Sequence, residues 1–289
     1  MTTPLLSDTA LLVLIALLAL VTGSFLNVVI ARLPVMLDRQ WQAQARATLE
    51  LPHERSEPFN LARPGSHCPG CQSPIAWHDN LPILGYIKRR GRCAVCRRRI
   101  SLQYPLVEAG ALALALWTVS AQGVSLSSAA LWGACMLLLT LAVIDFRTQL
   151  LPDALTLPLL WAGLLYQLIW QPSRLEDALL GAVIGYLLLW GFYQLFRLLT
   201  GREGMGYGDF KLLAALGAWS GWQTLPLTLT LSAGAGAAVG IICQLTIPRL
   251  RGAPMPFGPF LAAAGVLMLL EGERLMLVYQ EFLGFDYVF

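Results

Sequence analysis

Charged side chains are scarce in this chain. Asp, Glu, Lys and Arg make up 13% of the 289 residues, whereas 56% are hydrophobic. A soluble domain normally carries about 25% charged residues, so the composition excludes a soluble globular protein. The scarcity is concentrated in uncharged stretches long enough for a helix to cross a bilayer, which takes roughly 17–25 residues. These stretches are 9–31, 109–144, 154–173, 178–196, 212–248 and 252–270.

The two longest uncharged stretches are too long for single crossings. A helix over 109–144 would extend roughly 54 Å, against a hydrocarbon core of about 30 Å. Small and polar residues at 120–128 interrupt this stretch, and those at 220–226 interrupt 212–248. Both are typical turn compositions. The sequence therefore predicts an all-α polytopic membrane protein with about eight transmembrane helices.

Histidine is absent from every uncharged stretch, because His53, His67 and His78 all lie between the first and second stretches. Serine or cysteine catalysis inside the membrane would normally need an imidazole base. The chain also lacks the His-Glu-x-x-His pattern of zinc proteases. Carboxylates are then the remaining candidates for chemistry within the helices.

Positive charge is confined mainly to one loop. Of the 20 Lys and Arg residues, 12 lie between residues 31 and 105. The positive-inside rule therefore predicts a periplasmic N-terminus, a first transmembrane helix at 1–31, a cytoplasmic basic loop at 32–104 and a membrane-embedded domain of about seven helices at 105–289. The same rule assigns the connectors near 145–153, 197–211 and 249–251 to the cytoplasm. The first helix has no preceding basic residue and no obvious cleavage site, so we expect it to be retained.

The basic charge of this loop has two interpretations. It favours retention on the cytoplasmic side and attraction to anionic lipid of the bilayer. Nucleic-acid binding is the alternative, but no recognised motif or interleaved aromatic residues support it, so we predict no nucleic-acid partner.

Four cysteines in the loop form two Cys-x-x-Cys pairs, Cys68 with Cys71 and Cys93 with Cys96. Paired knuckles of this kind supply the four tetrahedral thiolates that Zn²⁺ prefers, and the reducing cytoplasm disfavours disulfides. The pattern predicts a zinc ion with a structural role, because four cysteines leave no open coordination position. A redox pair, unbound thiols, or His67 as a substitute ligand are the alternatives.

Three carboxylates, Glu108, Asp145 and Asp209, lie at or inside the predicted cytoplasmic ends of helices, where an ionised group is costly. Two carboxylates within hydrogen-bonding reach can share one proton and act as acid and base on a water, which is aspartic-protease chemistry. Three alternating glycines before Asp209 would permit unusual backbone conformations and close approach of a peptide. The structural alternative is that Asp209 caps its helix and Asp145 pairs with Arg147 or Lys211. For Glu108 the structural options are an interfacial position or a basic partner.

At these residues the chain resembles the bacterial type IV prepilin leader peptidases, which are also N-methyltransferases. The resemblance covers nearly the whole length in several ordered motifs: Gly23–Pro34, the paired cysteines followed by Ile100–Glu108, Ile144–Asp153 and Gly206–Asp209. It implies that Asp145 and Asp209 are the catalytic aspartates of a Gly-x-Gly-Asp intramembrane protease and that 105–289 is the peptidase domain. It also implies that Asp153 is not catalytic and that the four cysteines bind zinc.

The resemblance further implies the substrates, which would be prepilins and pseudopilins of type IV pili and type II secretion in the bacterial inner membrane. Their short basic leader, ending in glycine before a hydrophobic helix, would be cleaved at the cytoplasmic face. The new N-terminus would then be methylated with S-adenosyl-L-methionine, for which the sequence indicates no binding residues. A non-enzymatic transporter or assembly scaffold with a structural zinc loop is the alternative from another class.

Overall fold

The computed structural model describes residues 8–52, 58–202, 204–247 and 255–283. Regular structure in these residues is helical, apart from two isolated β-bridges in the cysteine loop. The chain divides into two compact units, residues 1–117 and 118–289. His53 and the connector at 249–251 lie outside the described residues.

The first unit begins with α1, Asp8–Thr48, which does not end at Ala31 as predicted. The hydrophobic stretch ends at Ala31, but the following residues are mostly good helix formers whose charged side chains point into solvent. Pro34 lies inside the helix. The segment after the helix returns to it, because Arg32 donates to the carbonyls of Asn60 and Leu61 at 3.0 and 3.2 Å.

Two further helices follow α1: the short α2, Leu84–Lys88, which lies between the two cysteine pairs, and α3, Gln103–Gln122, which begins after them. Helices α1 and α3 pack closely at Gly23, where a Cβ atom would lie 2.8 Å from the Cα of Glu108. Small residues permit such close approach between membrane helices. The buried Asn27 amide donates to the carbonyl of Tyr104 at 3.0 Å, which links α1 to α3.

Six further α-helices follow in the described part of the chain. They are α4 (Leu126–Thr148), α5 (Asp153–Trp170), α6 (Leu175–Thr200), α7 (Tyr207–Ser220), α8 (Leu225–Thr246) and α9 (Gly258–Leu283). The turns predicted inside the two longest uncharged stretches are confirmed, since α3 ends before Ser125 caps α4 and Gly221 separates α7 from α8. A residue with non-helical dihedral angles, Glu271, kinks α9.

Helix α7 lies at the centre of the second unit, in contact with α5, α6 and α9, and nearly all of its residues are buried. Its crossing with α6 is close because two glycines face each other: a Cβ on Gly217 would lie 2.2 Å from the carbonyl oxygen of Gly181. On the side facing α5, the indole N–H of Trp219 donates to the carbonyl of Leu159 at 2.8 Å. The amide of Gln167 donates to the carbonyl of Trp219 at 2.6 Å. These contacts fix the helix that carries Asp209.

Six helices are long and apolar enough to cross a membrane, namely α1, α3, α4, α5, α6 and α8. The chain is therefore a multi-pass membrane protein. The two other predicted crossings correspond to α7 and α9, which do not meet these criteria within the described residues. Helix α7 has 14 residues and extends only about 21 Å. Helix α9 is interrupted by Glu271, Glu273 and Arg274.

Candidate active site and metal centre

The four predicted cysteine ligands lie together in the first unit, in what we call the cysteine module (residues 66–100). All four Sγ atoms lie within 4.8 Å of one another. The Sγ atoms of Cys68 and Cys96 are 3.7 Å apart, and those of Cys71 and Cys93 are 3.9 Å apart. Zn–S bonds of about 2.3 Å would place tetrahedral sulfurs about 3.8 Å apart. These two distances match a tetrahedral zinc site, and the cluster is compatible with a zinc ion.

The cysteine module consists of two knuckles with matching backbone hydrogen bonds, knuckle one at 66–75 and knuckle two at 91–100. In each knuckle the first cysteine sulfur accepts the N–H two residues later, from Gly70 and from Val95, at 3.4 Å. Each first cysteine also donates its N–H to the carbonyl five residues later. In each knuckle the residue after the second cysteine is left-handed, with φ of 58° at Gln72 and 60° at Arg97. The two halves of the site are thus one local motif used twice.

Hydrogen bonds prepare two of the four thiols for a cation. The backbone N–H groups of Val95 and Cys96 lower the pKa of Cys93 to about 6. The hydroxyl and backbone of Ser73 lower the pKa of Cys71. The pKa of Cys96 is different: although the backbone N–H of Arg98 lowers it, burial and the neighbouring thiols raise it to about 11. His67 instead places Nδ1 2.8 Å from the carbonyl oxygen of Gly65, and it is not part of the thiol group. The four cysteines, rather than His67, are the residues that could hold a metal.

An ion-pair cluster braces the segment between the two knuckles. Asp79 accepts hydrogen bonds from Arg89 and, at 3.0 Å, from Lys88. The Arg89 hydrogen bond is the main reason that the pKa of Asp79 falls to about 2. This cluster closes the turn that contains α2.

Asp145 lies in the last turn of α4 and is only 6% exposed. Its carboxylate accepts a hydrogen bond from the backbone N–H of Gly258, the first residue of α9. Its Oδ2 atom has no hydrogen-bond partner among the described residues. Because a buried carboxylate oxygen without a donor is costly, this atom is suited to a water or a substrate group.

Asp209 lies in the first turn of α7 and is 8% exposed. Its carboxylate accepts the backbone N–H of Gly206, the N-cap residue, so it also satisfies one orphan donor of the helix. Its Oδ1 atom has no hydrogen-bond partner among the described residues. The negative charge of Asp145 repels the negative charge of an ionised Asp209. The second unit thus brings the two predicted aspartates into one electrostatically coupled pair.

The glycines around Asp209 provide space rather than unusual dihedral angles, which corrects the expectation from the sequence. Gly206 has φ of −82° and ψ of 146°, which any residue adopts. Gly208 lies inside α7, where a Cβ would be 2.7 Å from the Cβ of Leu151. A Cβ on Gly204 would be 2.8 Å from the ring of Phe196. These two glycines therefore allow the chain before and within α7 to pack against neighbouring segments.

The ion pairs suggested as structural roles for Asp145 and Glu108 are not the ones that the structure contains. Lys211 pairs with both oxygens of Asp153, at 2.7 and 2.8 Å, and not with Asp145. Glu108 does not pair with a basic side chain of the described chain. It accepts the N–H of Ile83 at 2.7 Å and a hydrogen bond from Ser24, within the first unit.

Gly258 is the site residue that the sequence did not reveal. A Cβ atom there would lie 2.6 Å from Oδ2 of Asp145 and 3.3 Å from Leu151. Only glycine therefore fits at this position without displacing the carboxylate. The available signal was a glycine flanked by Pro256 and Pro259 at the start of an apolar stretch, but nothing local connects it to Asp145.

Comparison with known proteins agrees with this geometry. Residues 132–241 match the type IV leader peptidase family, and residues 17–121 match the bacterial peptidase A24 N-terminal domain. A prepilin leader peptidase/N-methyltransferase of Pseudomonas putida is 50% identical over 270 residues, covering 93% of each chain. The protein of that name from Aeromonas hydrophila is 50% identical over 270 residues, covering 91% of each chain. That of Burkholderia pseudomallei is 47% identical over 264 residues, covering 90% of this chain and 85% of the other. No solved structure matches.

Proposed function

Since the chain belongs to the type IV leader peptidase family, we propose that it cleaves the leaders of type IV prepilins and pseudopilins and methylates the new N-terminus. The observation that carries the first activity is the buried pair of Asp145 and Asp209, each with one oxygen unpaired among the described residues. Two such carboxylates, in a unit whose sequence (residues 118–289) contains no histidine, fit aspartic proteolysis rather than serine or cysteine chemistry.

The pair acts on a water held between the two carboxyl groups. One aspartate is ionised and takes a proton from the water as it attacks the scissile carbonyl, while the protonated partner donates to the carbonyl oxygen. The proton taken from the water then passes to the leaving amide nitrogen as the peptide bond breaks. The backbone N–H groups of Gly258 and Gly206 hold the two carboxylates in place during these transfers.

A cleavage assay tests these roles with purified full-length protein and a prepilin. We expect Asp145→Asn and Asp209→Asn to lose cleavage by about 10²-fold or more, the range for removal of a general acid or base. Asp153→Asn is the matched control, because Asp153 is an exposed carboxylate paired with Lys211. Cleavage at the normal rate by either of the first two variants overturns the assignment, provided that the variant folds.

The methyl transfer uses S-adenosyl-L-methionine as donor and attaches one methyl group to the N-terminal amine that cleavage exposes. We assign no residue of this chain to the donor. Transfer of labelled methyl groups to cleaved pilin measures this activity separately from cleavage. Incorporation of label without prior cleavage would contradict the proposed order.

The four cysteines would hold a structural zinc ion that fixes the fold of the cysteine module. The support is the fit of the sulfur positions to a tetrahedron and the low pKa of Cys93. Bound to four thiolates, zinc would have no position for a substrate water, so it supplies folding energy and no catalytic step.

The proposed topology has eight crossings in the bacterial inner membrane, with a periplasmic N-terminus and both aspartates at the cytoplasmic face. Helix α7 can cross despite its 14 residues, because its neighbours cover it and its ends do not need to meet lipid. A protease added to the periplasmic side should then remove an N-terminal tag but leave a tag inserted at the exposed turn residue Glu50 intact. The reverse pattern would overturn this orientation.

A further inference from the structure

Knuckle two borders a cavity of about 430 Å³ that is independent of the thiol cluster. Its floor contains Tyr86 and the buried Gly91, whose left-handed φ of 64° brings its backbone against the Tyr86 hydroxyl. The exposed side chains of three arginines surround this floor: Arg90, Arg92 and Arg99. Hydrogen-bond donors therefore line the cavity, and no carboxylate does.

The three guanidinium groups have no ion pair or hydrogen bond with another residue that the structure describes. Arg92 and Arg99 also face each other directly across an antiparallel β-bridge. Like charges at directly opposed positions destabilise such a pair. By contrast, the neighbouring Arg89 is neutralised by Asp79. An anion among the arginines would relieve this repulsion.

Knuckle one provides an internal comparison for this charge. Its bridge pairs His67 with Pro74, at the positions where knuckle two has Arg92 and Arg99. Both knuckles form the same backbone motif and supply the same number of thiols. The opposed arginines are therefore not required to build a knuckle, and they call for a separate explanation.

The position of the cavity, next to the start of a candidate membrane helix, indicates which kind of anion would bind there. Leu102 lines the cavity, and α3, a candidate membrane span, begins at the next residue, Gln103. Leu84 and Ile87 in the cysteine module and Leu102 just after it are each about two-thirds exposed, as expected for a segment that lies against the bilayer surface. With α3 as a membrane span, a donor-lined cavity at its first residue would lie near the level of the lipid phosphates.

We propose that the cavity bordered by Tyr86, Arg90, Arg92 and Arg99 is a binding site for the phosphate headgroup of an anionic phospholipid. The arginines supply planar donors suited to phosphate oxygens, and the Tyr86 hydroxyl supplies a further donor. S-adenosyl-L-methionine is a poorer fit, because its sulfonium group would meet three cationic side chains and no carboxylate.

Native mass spectrometry of the detergent-purified full-length protein tests this site, with phosphatidylglycerol and phosphatidylcholine as the two probes. We expect preferential binding of one phosphatidylglycerol, weakened about tenfold or more in the double variant Arg92→Gln/Arg99→Gln. Binding of phosphatidylcholine should not change. The matched control is Arg97→Gln/Arg98→Gln, which removes the same charge from knuckle two outside the cavity lining. Zinc content reports whether each variant keeps the fold of the module.

Each outcome either supports or overturns binding of a lipid headgroup in this cavity. Retained binding in the control and loss in Arg92→Gln/Arg99→Gln support the cavity. Equal losses in both variants overturn it in favour of diffuse charge attraction. Displacement of phosphatidylglycerol by inorganic phosphate would identify a free anion as the ligand and overturn the lipid assignment. Loss of S-adenosyl-L-methionine binding with lipid binding intact would also overturn it.

Discussion

In the cysteine module each ligand is held by its own neighbours, whereas Asp145 is held by a glycine from a distant helix. Backbone N–H groups two residues away orient Cys68 and Cys93. The Asp145 carboxylate instead depends on the packing of α9 against α4. A local motif can form in any context that allows two turns, but the aspartate pair exists only after the helices have assembled. The module should therefore fail when a ligand is lost, and the aspartate site should also fail when a helix shifts.

The largest expected effect comes from the aspartates themselves. Asp145→Asn, Asp209→Asn and the double variant should all reduce kcat by a similar factor, about 10²-fold or more. The reason is that two groups acting on one water form a single unit, so that removal of the second costs nothing further. Single-turnover kinetics of the three variants measures this. Independent, multiplying losses would contradict a shared reaction step.

A smaller loss is expected from Gly258→Ala, because the added Cβ displaces the Asp145 carboxylate by contact rather than removing it. We expect kcat to fall by about 10- to 100-fold with little change in KM, as for a misplaced catalytic group. Steady-state kinetics with a prepilin provides the measurement, and the pH profile of kcat should shift because a donor to Asp145 is disturbed.

Two alanine substitutions in the same helix control for packing damage. A Cβ on Gly272 would contact only Met268, at 3.7 Å, so Gly272→Ala should change neither stability nor activity. Gly265→Ala meets Leu216 at 2.4 Å, so it should lower stability without changing the pH profile of the remaining activity. If Gly258→Ala, like Gly265→Ala, lowers stability and leaves the pH profile of the remaining activity unchanged, Gly258 has no role in positioning Asp145.

Removal of one cysteine ligand should weaken zinc binding in the cysteine module without altering the aspartate site. Cys68→Ser and Cys93→Ser should each reduce zinc by about one ion per chain and expose residues 66–100 to proteolysis, because three thiolates bind zinc more weakly than four. Elemental analysis and limited proteolysis measure both effects. The half-buried Cys243 lies in α8, outside the thiol cluster, so Cys243→Ser is the control. Unchanged zinc in both ligand variants would refute the metal centre.

The smallest effect is expected at the ion-pair cluster. Asp79→Asn should slightly increase backbone hydrogen exchange over residues 84–91, since Arg89 and Lys88 lose their partner. The pKa of Asp79 is lowered to about 2, so the carboxylate stabilises the fold above its unfolded pKa of about 3.9 and this is lost only as the pH falls towards 2. The difference from the unsubstituted protein should therefore be the same at pH 5 and pH 7. The absence of any difference at pH 7 would show that the pairing does not hold this segment.

The sequence was informative where the determinants are local. Cysteine spacing predicted all four members of the thiol cluster, and small polar residues predicted the turns that follow α3 and α7. The sequence did not predict features that depend on packing between distant residues or on solvent exposure. Helix α1 continues beyond Ala31 because loss of hydrophobicity ends a membrane segment but not a helix. Gly258 was missed because its neighbour in space, Asp145, is far away in the chain.

The predicted catalytic role of Asp145 and Asp209 depends on the family resemblance more than on their residue types and positions in the sequence. From residue types alone, a capping or ion-pairing role was as good an explanation, and Asp209 does accept the N–H of its N-cap residue. What distinguishes the pair is the joint burial of two coupled carboxylates with unpaired oxygens, which depends on the assembled helices. Lys211, the suggested partner of Asp145, is instead taken by Asp153.

The most direct test of the account is mass analysis of a prepilin co-expressed with this chain. With the unsubstituted chain, the pilin should lack its leader and carry one additional methyl group. With Asp145→Asn or Asp209→Asn, the pilin should keep its leader and remain unmethylated, because the N-terminal amine to be methylated is never exposed. Removal of the leader in cells that contain only one of these variants would contradict the central claim.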